Sequence, residues 1–222
     1  MDQPSVIVFD VNETLSDMSA MDSRFTDVGL PAQLSQTWFA SVLRDGFALT
    51  SVGTSEKFSV IGDELFRALA DPPALNRDVD DAVEHVLTGF MSLPLHPDIV
   101  DGVRALRAAG LRLVTLSNGA AKVAENLLDS AGLGDQFAHV LSVEDAGAWK
   151  PDRRAYEYAA RVCGTVPAQM MMVAAHPWDI DGAARAGMST AWINRIGAAY
   201  PSFFTPPTKT VAALPHLASD WV

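Results

Sequence analysis

The sequence predicts an α/β fold: a Rossmann-like parallel sheet with helices on both faces and a small helical unit inserted near its start. Three observations predict it. From residue 99 onward, short apolar runs of strand length alternate regularly with amphipathic helical stretches. Polar residues stand at the C-terminal end of each apolar run, as expected where strands of an open parallel sheet meet their crevice. Residues 17–94 break this pattern, with several helical stretches and few strand-like ones.

The first strand is Ser5-Val6-Ile7-Val8-Phe9, β-branched or aromatic over most of its length and so suited to burial on both faces. It runs into Asp10, Asn12, Glu13 and Thr14, polar residues that end it. In the insert, Trp38, Val42, Leu43 and Phe47 share one helix face, as do Phe58, Ile61, Leu65, Phe66 and Leu69. Val79, Val83, Val86, Leu87 and Phe90 mark another helix, and prolines at 31, 72, 73, 94 and 97 punctuate the segments. Beyond them the expected order is a helix over 99–109 stopped by Gly110, a strand over 111–116 and a helix over 121–130 stopped by Gly132. A strand over 139–142, a helix over 154–162 and a strand over 170–173 follow. A helix over 178–186, a strand over 190–193 and a short last strand near Val211 complete the series. The expected division is a Rossmann-like core of residues 1–15 and 95–222 around a helical unit of 16–94.

Composition narrows the function. The chain has 222 residues, 49% of them hydrophobic, enough for one sizeable core. A net charge of -11 argues against nucleic acid or an anionic membrane as a partner, because both need a basic surface. Cys163 is the only cysteine, which excludes an intrachain disulfide and a CxxC metal site and suits a reducing compartment. Met1-Asp2-Gln3-Pro4 is not the basic-then-apolar start of a signal sequence, and no apolar run reaches the length of a membrane span. The expectation is a soluble, cytoplasmic protein.

The polar tips Asp10, Ser117-Asn118, Lys150 and Asp179 fall where the sheet would gather them along one edge. Singly each is weak: Ser-Asn-Gly after a strand is usually a turn, and a lysine before a proline is usually an exposed loop residue. Together they make coherent chemistry. Asp10 is the candidate nucleophile, and Lys150 is the cation that keeps it ionised. Ser117 and Asn118 orient the carboxylate or bind a substrate anion. Asp179 holds Lys150 or positions a hydrolytic water.

The motifs FDVNETL (9–15), TLSNG (115–119), WKPDRRAY (149–156) and the WD of AAHPWD (174–179) resemble those of the haloacid dehalogenase superfamily of hydrolases. Within it the chain is most similar to the type II 2-haloacid dehalogenases, whose lysine motif also reads KPDxxxY and in which WINR (192–195) recurs. The resemblance implies a cofactor-free enzyme with no metal, whose helical cap closes over a small carboxylate. It implies hydrolysis of short 2-haloalkanoates to 2-hydroxy acids through an ester on Asp10, and, since type II relatives are commonly dimers, a homodimer. Thr14 joins the catalytic set, Val11 and Asn12 join the substrate contacts, and Tyr156 is expected near the site entrance.

The departures bear on substrate. Superfamily phosphatases carry an aspartate where Asn12 stands, and an amide cannot protonate an alkoxide; a halide needs no proton. Type II enzymes usually have an aromatic at Asn12, glycine at Glu13 and a Trp-Arg pair where this chain has Trp38-Phe39. Arg44 lies one and a half turns further along that helix and reads as a solvent-facing residue. Ala174 and His176 replace the serine and asparagine of many relatives, resembling a subset reported to act on fluorinated acids. His176 is read either as a loop brace or as a donor to a carboxylate, a fluoride or the water. Phe39 and Trp178 are read either as an apolar wall or as core between cap and sheet. His85, His96, His139 and His216 show no ligand spacing and read as surface or structural residues. The alternatives are hydrolysis of a strained-ring carboxylate such as azetidine-2-carboxylate, a weak magnesium-dependent phosphatase, and a non-catalytic scaffold, the last disfavoured because a core needs none of the tip residues.

Overall fold

A computed structural model describes residues 3–219 and 221. Six parallel strands form one sheet in the order β3-β2-β1-β4-β5-β6. They are β1 (Val6–Phe9), β2 (Arg112–Ser117), β3 (Phe137–Ser142), β4 (Met170–Ala174), β5 (Ser189–Ile193) and β6 (Lys209–Val211). β1 is central, with Val6 in register with Arg112 on one side and Met170 on the other. The order reverses at β1 and β4, so the crevice beyond their C-terminal ends is where such a sheet binds ligands.

Alternation along each strand sends side chains to two apolar layers. Val6, Val8, Val114 and Met172 face one side, with Ala155 and Ala159 of α8 (Arg153–Cys163) and Ile180 and Ala183 of α9 (Pro177–Ala186). Ile7, Phe9, Leu113 and Met171 face the other, against α5 (Ile99–Ala108), α6 (Ala121–Ser130) and α10 (Leu214–Ala218). Both faces are therefore covered, which is why the strands read as continuous apolar runs. Gly110 and Gly132 take positive φ after α5 and α6, as the helix stops require.

Four helices lie between β1 and α5: α1 (Met21–Asp27), α2 (Leu34–Ser51), α3 (Phe58–Leu69) and α4 (Val79–Met91). Their shared centre is aromatic. Trp38 is fully buried, packs edge-on against Phe58 and Phe90, and donates from its indole nitrogen to the Gly62 carbonyl at 2.8 Å. The segments that enter and leave this insert pair with each other: Asp17 N donates to Pro94 O at 2.7 Å and His96 N to Leu15 O at 2.9 Å.

Trp149 is one of the residues that join the insert to the core. It stacks on Phe58, donates from its backbone to Thr50 Oγ1 at 3.1 Å and from its ring to Glu56 O at 3.0 Å. Gly46 of α2 lies flat against the Trp149 ring, so close that a Cβ there would overlap it. The short α1 and α7 (Val143–Ala146), and the final α10, are elements the sequence reading did not name. They are too short for a helical period to stand out. Among the described residues no helix is long and apolar enough to cross a membrane.

Gly46→Ala should destabilise the chain by about 1–3 kcal/mol, the usual cost of overpacking. Urea unfolding of the variant against the parent checks it.

Candidate active site

Asp10 leaves the C-terminal end of β1, anchored by its N–H to Val173 O of β4 at 3.0 Å. The loop then turns sharply, Leu15 N and Ser16 N both donating to Val11 O at 2.8 and 3.0 Å. That turn places Thr14 back over Asp10, and its hydroxyl donates to Asp10 Oδ2 at 2.7 Å while accepting from Ala175 N at 2.9 Å.

Lys150 follows α7 and is completely buried. Its ammonium lies between two carboxylates, 2.8 Å from Asp10 Oδ1 and 2.7 Å from Asp179 Oδ2. Burial works against the Lys150 charge, but Asp10 and Asp179 more than compensate and raise its pKa. Burial likewise works against ionisation of Asp10, yet Lys150 and His176 hold its carboxyl well below the usual carboxylate range. Asp179 is pushed up by burial and by Asp10, with Lys150 opposing. Asp10 is thus the carboxylate kept ionised, and Asp179 the more readily protonated partner.

His176 opens α9 and supplies a second cation. Its Nδ1 lies 3.1 Å from Asp10 Oδ2 and its Nε2 2.6 Å from Glu13 Oε2. Burial alone would lower its pKa; hydrogen bonds to Asp10 and Glu13 push it up to about 10. Glu13 has φ 59°, the one positive φ at a non-glycine among the described residues. A left-handed backbone at an L-residue costs on the order of 1 kcal/mol. External contacts hold it: the Glu13 carbonyl accepts from His96 Nε2 at 3.1 Å and from Arg195 Nη1 at 3.5 Å.

Arg195 braces the whole loop. Its guanidinium donates to Thr14 O at 3.0 Å and to both oxygens of Asp98, whose Oδ2 also accepts from Leu214 N at 2.8 Å. The loop is thereby tied to the starts of α5 and α10. Two cavities open beside it. One of about 490 Å³ is lined by Glu13, Asp17, His96, His176 and Arg195 among others. The other, about 280 Å³, is lined by Glu13, Gln36, Phe39, Leu43 and His176 among others. Asp10 lines neither; Glu13 and His176 line both.

Asp10, Thr14, Lys150, His176 and Asp179 therefore come together in space, and four other residues lie otherwise than their expected roles imply. Tyr156 is not at an entrance: it is fully buried, and its hydroxyl donates to Asp179 Oδ1 at 2.6 Å. Three residues into α8, it points inward with the buried face of that helix. The Val11 side chain is buried, because strand alternation sends it into the apolar layer with Ile7 and Phe9. Asn118 spends both amide atoms on the Lys150 backbone, accepting from its N–H at 2.9 Å and donating to its carbonyl at 3.2 Å. Ser117 Oγ accepts from Gly119 N at 2.9 Å. Ser117 and Asn118 thus shape the strand tip and hold the lysine loop, and neither bonds to Asp10.

Asn12 is buried and lines a cavity of about 10 Å³ with Ser16, Phe90 and Leu93. Phe39 and Trp178 both border His176, with ring centroids 6.4 and 5.0 Å from the imidazole. Arg44 is exposed and pairs with Asp45, as its helix position suggests. His85 pairs with Asp27 and His139 with Arg112, both away from the site. Glu13, His96, Asp98 and Arg195 were missed as site residues. WINR carried Arg195 as a motif without a physical role, Glu13 stood out only as a departure from the family glycine, and nothing local in the sequence marks His96 or Asp98.

A parallel α/β hydrolase with a buried carboxylate–lysine–carboxylate relay at its switch point is the class that fold and site define. A family model for haloacid dehalogenase-like hydrolases matches residues 4–187, and the chain belongs to that family. It is 30% identical to the (S)-2-haloacid dehalogenase 1 of Pseudomonas sp. (strain CBS-3), over 98% of this chain and 96% of that protein. It is 28% identical to the (S)-2-haloacid dehalogenase H-109 of Pseudomonas putida, over 97% and 96%. A crystal structure of an L-2-haloacid dehalogenase superposes with a TM-score of 0.90 at 27% identity, covering 98% of each chain.

Lys150→Met should leave two carboxylates facing each other in the interior and cost about 3–5 kcal/mol, measurable by urea unfolding. His176 gives a pH signature. Because its folded pKa is raised, its contribution to stability is full below about 6.5 and is lost as pH rises through about 10. His176→Gln should therefore flatten the alkaline fall in stability relative to the parent, checked by unfolding across that window.

Proposed function

We propose that the protein hydrolyses short 2-haloalkanoic acids to 2-hydroxy acids through an aspartyl ester on Asp10. The observation that carries this reading is a carboxylate held ionised by two cations and aimed by three fixed donors, Lys150, Thr14 and His176. Asn12 stands two residues after it and cannot serve as a general acid. Such a site suits displacement of a group that leaves as a stable anion.

Asp10 attacks the α-carbon in line with the carbon–halogen bond, and the halide departs with the bonding pair. Water then attacks the carbonyl carbon of the ester, releasing the 2-hydroxy acid and restoring the carboxylate. Asp179 and Tyr156 keep Lys150 in place through both steps. The insert, residues 16–94, acts as a cap over the nucleophile, with Phe39 and Trp178 giving an apolar wall beside the reacting carbon. Excluding water there strengthens the electrostatic hold on Asp10. The (S)-2-haloacid dehalogenases among the relatives support this reading and suggest the S-configured substrate.

Purified protein in EDTA should release halide from chloroacetate or bromoacetate and from one enantiomer of 2-chloropropionate, and Asp10→Asn should abolish it. Hydrolysis of a generic phosphate ester that requires added magnesium, without halide release, would overturn the reading. Turnover of azetidine-2-carboxylate without halide release would keep the nucleophile and change the substrate.

A further inference from the structure

Glu13 combines features that a loop residue rarely has together. Its backbone is left-handed, its carbonyl is held from one side by His96 and Arg195, and its carboxylate reaches the other way to His176. If the position served only the turn, glycine would fill it without strain. What the side chain adds is control of His176.

Both ring nitrogens of His176 face carboxylate oxygens, Nε2 that of Glu13 and Nδ1 that of Asp10. An ionised carboxylate only accepts, so both nitrogens must donate and the ring is an imidazolium. Asp10 Oδ2 then takes two donors, the Thr14 hydroxyl at 2.7 Å and His176 Nδ1 at 3.1 Å. Asp10 Oδ1 takes one, from Lys150 at 2.8 Å. The two oxygens are not equivalent.

We propose that Glu13 is a positioning residue: it fixes His176 so that Nδ1–H and the Thr14 hydroxyl form a two-donor cradle for the negative charge that develops on Asp10 Oδ2 during ester hydrolysis. This rests on the dehalogenase reading above. Oδ1 attacks the α-carbon, the bond from Oδ1 to that carbon forms, and the carbon–halogen bond breaks with its electron pair on the halide. Water oxygen next adds to the carboxyl carbon, and the carbonyl pair moves onto Oδ2, where the cradle receives it. Collapse restores the carbonyl and breaks the bond to Oδ1, which leaves as the hydroxyl oxygen of the product. One proton of the water ends on that hydroxyl and the other passes to solvent. Donors already aimed at the developing oxyanion need no reorganisation at that moment.

The charged groups around His176 are Asp10 and Glu13 on the β1 loop, and Lys150 and Asp179 behind Asp10. Asp17, Asp22, His96 and Arg195 stand around the larger cavity. From α2 and α9 it meets the rings of Phe39 and Trp178. Glu13 is the one carboxylate bonded to Nε2, so its removal acts on His176 first.

Glu13→Gln and Glu13→Gly test the proposal with 2-chloropropionate, through halide release against pH and intact protein mass during turnover. Both variants should still alkylate Asp10 but hydrolyse the ester up to about 100-fold more slowly, the scale of losing one oxyanion donor. The ester should accumulate as a mass adduct, and the alkaline limb of the rate profile should move down by about one pH unit or more. Both variants should do so while remaining folded at the assay temperature, checked by urea unfolding; a structural role alone would not give an accumulating ester in a folded enzyme. Halide release with an unmoved alkaline limb and no adduct overturns the role of Glu13 alone. No halide release from the parent protein overturns the dehalogenase reading and this step with it.

Discussion

The structure depends on the Lys150 ammonium held between Asp10 and Asp179, with no exposure to water. Moving three charged groups out of water costs several kcal/mol each, and attraction repays it only when geometry and hydrogen bonding are complete. The surroundings of Lys150 supply that completion. Asn118 clamps its backbone on both sides, Tyr156 satisfies the far oxygen of Asp179, and Trp149, the preceding residue, is bonded to Thr50 of the insert. Among the described residues Thr115 Oγ1 alone is a buried side-chain polar atom without a partner, and it lies within β2 in register with Phe9.

The same relay explains why the helical insert packs so tightly onto the sheet. One apolar cluster runs from Trp38, Phe58 and Phe66 of the insert through Trp149 to Val8 and Met172 of the sheet. That continuity keeps water from Asp10 and Lys150, and a low local dielectric makes their interaction strong. The polar loop after β1 has the opposite problem, a backbone that must turn within a few residues beside this dry interior. Its carbonyls are met by Arg195 and His96, so the turn is fixed from outside by residues far along the chain. Contacts from distant elements thus hold this loop in place of a ladder of its own.

The chain carries a net charge of -11, yet the groups that touch Asp10 are the Lys150 ammonium and the His176 imidazolium. The net charge of the exterior bears on solubility.

How much was legible beforehand follows from the range of the interactions involved. Val6–Phe9, the alternation after Ile99 and the helix-stopping glycines are local signals, so the parallel sheet and its covering helices could be read directly. Asp10, Lys150 and Asp179 were legible because strand ends in such a sheet converge, and a topological rule does the work of coordinates. Tyr156 and Val11 were misplaced because the side of an element that faces a cavity is set by packing, not by spacing from a motif. The inward turn of Tyr156 is decided by α8 lying on the sheet, and the burial of Val11 by the layer beneath β1. The sequence by itself determined the fold, the family and the carboxylate–lysine–carboxylate group of Asp10, Lys150 and Asp179, since these are encoded in periodicity, in motifs and in residue type beyond strand ends. Only the tertiary structure decided that Glu13, His96 and Arg195 belong to that site. Their partners lie more than 80 residues apart in the chain, and no local pattern records a contact across that distance.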